Sequence, residues 1–76
     1  MKEVNIRLSD IASIRNFVGA VLGFDYEIDL CSGRYTVDAK SIMGIFSLDL
    51  LHPIKLIAHT DNADALIEKI QPYIVK

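Results

Sequence analysis

The chain has 76 residues, of which 51% are hydrophobic, so it is long enough for one domain with one small core. The formal net charge is −2, and the eight basic residues (Lys2, Arg7, Arg15, Arg34, Lys40, Lys55, Lys69 and Lys76) are scattered with no Trp among them. That pattern lacks the basic stripe of a nucleic-acid-binding surface, and no apolar run approaches the roughly 20 residues of a membrane span. Neither nucleic acid nor a membrane is an expected partner.

The N-terminal stretch Met1–Arg7 alternates in polarity and does not resemble a signal peptide. The single cysteine, Cys31, has no partner for an internal disulfide. Both features fit a cytoplasmic protein.

Val4, Ile6 and Leu8 alternate with Asn5 and Arg7, the period-2 pattern of a half-buried strand. Ser9 follows as a helix N-cap with Asp10 in the first turn, where a negative charge suits the helix dipole. Ile11, Ile14, Phe17, Val18, Val21 and Leu22 then share one helical face, and Gly23 is placed to close the helix. Phe24 to Cys31 alternates again, with Tyr26, Ile28 and Leu30 on one side. Ser32-Gly33 has the composition of a tight hairpin turn, and Tyr35 and Val37 continue on the returning strand.

After Asp38-Ala39-Lys40 the character changes. Ser41 reads as the N-cap of a short helix of about two turns, Ile42 to Leu48, that is apolar on nearly every side. The expectation is that Ile42 and Ile45 face inward while Met43 and Phe46 face water. An apolar patch left exposed in this way marks a docking surface, either for another protein or for a second copy of the chain. Ile54-Lys55-Leu56-Ile57-Ala58 reads as a fourth strand. Thr60-Asp61-Asn62 supplies caps for a last helix in which Ala63, Leu66, Ile67 and Ile70 share a face, and Pro72 ends or kinks it. The order is β-α-β-β-α-β-α. It predicts an α+β fold, an open-faced sandwich of four antiparallel strands covered on one face by three helices, in a single domain over residues 1–76. A ferredoxin-like arrangement ranks second, because it would need a longer helix in the middle.

The segment Asp38-Ala39-Lys40-Ser41-Ile42-Met43-Gly44-Ile45-Phe46-Ser47-Leu48, together with Phe17-Val18 on the first helix, resembles HPr, the small phosphocarrier protein of the sugar phosphotransferase system. The resemblance covers essentially the whole chain. It implies a histidine at the start of the first helix that carries phosphate, within Gly-Leu-His, a small residue, Arg, and Pro or Ala. Aligned through Phe17-Val18, the histidine position holds Asp10, the arginine position Ala12 and the next position Ser13. Asp10 cannot form a phosphohistidine, and its charge opposes an incoming phosphate. An acyl phosphate on Asp10 lacks neighbouring carboxylates for a metal ion, and no metal site is expected. His52 and His59 flank the fourth strand, remote in sequence from the first helix, and read as surface histidines.

Some proteins of this resemblance lack the histidine yet keep a serine at the start of the short helix, which a kinase phosphorylates. Ser41 is therefore the phosphorylation candidate, beside Lys40. The resemblance assigns protein contacts to Ala12, Arg15, Lys40, Ile42, Met43 and Phe46. The expected function is a regulatory or adaptor domain, not an enzyme and needing no cofactor. Its partners would be of phosphotransferase-system or catabolite-regulation type, with homodimerisation a further option. The alternatives are a divergent phosphocarrier and a self-associating structural module.

Overall fold

Alternating apolar residues put one face of each strand into the core. The computed structural model describes residues 1–75. Its elements are β1 (Lys2–Ile6), α1 (Ile11–Val21), β2 (Ile28–Ser32), β3 (Tyr35–Asp38), α2 (Ile42–Phe46), β4 (Ile54–Ala58), α3 (Asp64–Lys69) and a 3-10 turn, Gln71–Tyr73. The strands form one antiparallel sheet in the order β1-β4-β2-β3. This is the expected α+β architecture.

The register decides which side chains share a face. Ile6 lies opposite Ile54, and Leu56 lies opposite both Val4 and Leu30. Ile6, Leu30, Ile54 and Leu56 are fully buried beneath Phe17 and Val21 of α1, Ile45 of α2 and Leu66 of α3. The other face carries Glu3, Asn5, Asp29, Cys31, Thr36 and Lys55, which are exposed or half-buried. There the Cys31 Sγ and Thr36 Oγ1 of a cross-strand pair lie 3.4 Å apart. Gly33 in the β2–β3 turn has φ 60°, a left-handed conformation that a residue without Cβ adopts at no steric cost.

The C-terminal segment returns to β1. Arg7 N–H donates to the Tyr73 carbonyl at 2.8 Å and Val75 N–H to the Asn5 carbonyl at 2.9 Å. Ile6 and Ile74 form an antiparallel bridge. This covers part of the backbone of an otherwise open sheet edge. Tyr73 also meets Phe17 edge-on, with ring centroids 5.7 Å apart at 87°.

Several sequence expectations change. The N-cap of α1 is Asp10, not Ser9; an ionised carboxylate accepts two hydrogen bonds from Ser13, and so outcompetes the Ser9 hydroxyl. Ile11 and Leu22, expected on the buried face, are 62% and 59% exposed. They sit at the two ends of α1, where the sheet no longer lies beneath the helix. Leu22 is the C-cap, and Gly23 has no left-handed φ. The second strand begins at Ile28 and not at Phe24. Phe24 and Tyr26 belong to the α1–β2 loop, where their rings pack against each other and the core. The last helix is short because Ile70 turns directly into the 3-10 turn that holds Pro72.

Candidate functional site

The contacting helices α1 and α2, with their caps and exposed apolar side chains, form the candidate surface. At α1 the Asp10 Oδ1 accepts the Ser13 backbone N–H at 2.7 Å and the Ser13 hydroxyl at 2.6 Å. The hydroxyl bond, seconded by the backbone N–H, holds the carboxyl below its ordinary range, so Asp10 stays charged. Ala12 and Arg15 are exposed on the same helix.

At α2 the expectation for Ser41 holds: its backbone is extended and its Oγ accepts Gly44 N–H at 3.1 Å. Gly44 permits this close seat, because a Cβ there would come within 3.2 Å of Val37 Cβ and 3.3 Å of Ser41 Oγ. Ile45 is fully buried, Met43 is 76% exposed and Phe46 is 44% exposed. Ile42 is half-buried and packs against the core without entering it. A five-residue helix has one side for the core, and the remaining apolar residues face water.

Helices α1 and α2 are packed neighbours, so Ala12, Arg15, Met43 and Phe46 belong to adjacent elements on one side of the sheet. Ile11, which sequence reasoning placed in the core, adds a further exposed apolar residue at the start of α1. Its signal was its position next to the cap, where a helix has not yet reached the sheet.

Lys40 is held within the domain. Its ammonium donates to the Phe24 carbonyl at 2.6 Å and to the Tyr26 carbonyl at 3.0 Å. Lys40 therefore ties the α1–β2 loop to the start of α2, and its charge is committed there and is not free for a phosphate on Ser41. Tyr26 sits partly buried beside it, and burial, with a smaller push from Asp25, raises its phenol above the ordinary range.

Among the described residues neither histidine hydrogen-bonds at the α1 cap. Because β1 runs antiparallel to β4, His52 precedes β4 at the same end of the sheet, and His59 follows β4 at the opposite end. His52 Nε2 lies 3.8 Å from Asp49 Oδ2, while His59 Nε2 lies 2.8 Å from Asp29 Oδ2. Among the described residues no group of three His, Cys, Asp or Glu side chains could hold a metal ion, and no helix is long and apolar enough to cross a membrane.

The family model for the PTS HPr component phosphorylation site matches residues 12–76. The chain belongs to the HPr family. A solved structure similar to this HPr-family domain is that of HPr-C-His from Thermoanaerobacter tengcongensis, with a TM-score of 0.79 and 30% identity. The similarity covers 93% of this chain and 89% of that one. None of the curated proteins matches the chain closely enough to count as a relative. The family match begins at Ala12, so Asp10 and Ile11 of this HPr-family domain lie before the matched segment.

Proposed function

We propose that this HPr-family domain is a regulatory or adaptor module, which docks onto proteins of phosphotransferase-system type through α1 and α2 and is controlled at Ser41. The observation that carries this is the pairing of a capping serine with exposed Met43 and Phe46 on one short helix. Methionine beside an aromatic makes an adaptable contact surface. A phosphoserine at position 41 would keep an acceptor for Gly44 N–H while adding charge next to the apolar patch. With Lys40 committed to the loop carbonyls, that charge would be read by the partner and not neutralised within the domain.

The start of α1 supports an adaptor over a carrier. Asp10, not a histidine, occupies the cap, and its carboxylate is satisfied by Ser13. Incubation with the system's first enzyme and phosphoenolpyruvate is expected to leave no acid-labile phosphate on the protein, as read by mass spectrometry. Asp10→His is expected to restore little transfer, because Ala12 and Ser13 also depart from the family motif. Rapid phosphorylation of the unmodified protein would refute the adaptor reading.

Docking is tested with Met43→Asp and Phe46→Asp in titrations against the phosphotransferase enzymes and against the protein itself. Both variants are expected to keep the fold and lose binding. Ser41→Asp should keep the fold and change affinity. An unchanged affinity, with no kinase that modifies Ser41, would leave it a helix cap alone.

A further inference from the structure

We infer that the free edge of strand β3 pairs with the same edge of a second copy of this chain, antiparallel and about a two-fold axis at Thr36. The pairing joins two four-stranded sheets into one and runs through β3, not through the helices of the docking surface.

The two edges of the sheet differ. β1 is covered by the C-terminal segment, through Val75 N–H on the Asn5 carbonyl and the Ile6–Ile74 bridge. β3 is the last strand on the other side and pairs with β2 alone. One bond shows which of its backbone groups point outward. Ala39 N–H donates to the Ile28 carbonyl at 2.8 Å. Antiparallel pairs alternate between hydrogen-bonded and non-bonded, so Val37 and Tyr35 turn their N–H and C=O groups toward β2. Thr36 and Asp38 turn theirs away. The Asp38 carbonyl accepts Ser41 N–H at 3.0 Å. Thr36, with no strand beyond it among the described residues, offers both an N–H and a C=O.

Charge selects the register. Centred on Thr36, the two copies exchange a pair of main-chain hydrogen bonds. Tyr35 then lies level with Val37 of the second copy, and Arg34 level with its Asp38, each contact occurring twice. Tyr35 is 69% exposed and Val37 is half-buried, an aromatic and β-branched pair of the kind that stabilises neighbouring strands. Arg34 and Asp38 are exposed, and among the described residues neither forms an ion pair within its own chain. A pairing centred on Val37 would set Arg34 level with Lys40, and one centred on Asp38 would set two carboxylates against each other. Like charges directly opposite are destabilising. A pairing centred on Tyr35 would run each strand past the Gly33–Arg34 turn of the other copy. A four-residue edge is a small contact, so the dimer forms at high protein concentration and weakens as salt is raised.

The test is sedimentation equilibrium of the intact protein at millimolar concentration in low salt, with amide NMR across a dilution series. A monomer–dimer equilibrium is expected, with concentration-dependent shifts at the Thr36 and Asp38 amides. Arg34→Glu and Asp38→Lys each set like charges together on both sides of the axis and should weaken association about tenfold. An equimolar mixture of these two variants restores opposite charges at both positions and should dimerise as the unmodified protein does. Asp38→Asn keeps an acceptor for Lys40 N–H and should weaken the dimer about threefold with the fold intact by circular dichroism. A monomer at millimolar concentration, shifts confined to α1 and α2, unchanged association in the variants, or a mixture that stays monomeric would each overturn the pairing.

Discussion

Single hydrogen bonds decide what three polar residues do. Asp10 takes both of its short bonds from Ser13, so removing the hydroxyl alone should show its effect on the carboxyl. Ser13→Ala is expected to return the Asp10 pKa toward its ordinary value, read by carbon NMR of the carboxyl across acid pH. The sign follows from a depressed pKa. The carboxylate's contribution to stability is complete above its unfolded value near 3.8 and is lost as pH falls through the lower folded value. Ser13→Ala should therefore narrow the difference in stability between neutral and acid pH. Ser41 is a cap of the same kind on a shorter helix. Ser41→Ala should cost about 1 kcal/mol in chemical denaturation, while Ser41→Asp should cost much less because Asp also caps. Lys40 belongs with these residues for a different reason. Lys40→Met removes the donor from two part-buried carbonyls and is expected to cost about 1–3 kcal/mol.

Helix α2 is too short to satisfy every apolar residue it carries, and that sets its division of labour. Ile45→Ala should cost about 2–5 kcal/mol, because Ile45 has no exposed surface and its removal leaves a cavity. Met43→Asp lies on the open side and should stay within about 0.5 kcal/mol. Thermal unfolding of the two variants separates core from surface on a single turn of helix. At the ends of α1, Ile11 and Leu22 show the same rule: helical periodicity names a face, but only the length of the sheet beneath it decides where burial stops.

Across the whole molecule, the C-terminal turn closes the fold. Tyr73 packs on Phe17 and its carbonyl holds Arg7, so the last residues and the first strand stabilise one another. Phe17→Ala is expected to cost about 3–5 kcal/mol, a large part of the total stability of a domain this small. It should also loosen the contacts of residues 73–75 with β1, seen as faster amide exchange at Arg7 and Val75.

The order of elements, the four strands, the short capped helix and its exposed Met43 and Phe46 were legible in the chain itself. These features depend on local periods, caps and the limited area of a short helix, all of which act between near neighbours. The choice between Ser9 and Asp10 as cap was not legible, because both are good caps and only the position of Ser13 relative to the first turn settles it. The role of Lys40 depends on carbonyls 14 and 16 residues away. The pairing of His59 with Asp29 spans 30 residues and exists only because β2 and β4, distant in sequence, are neighbours in the sheet. Long-range contacts of this kind follow from strand order, which no local pattern contains. Tertiary structure alone decided them.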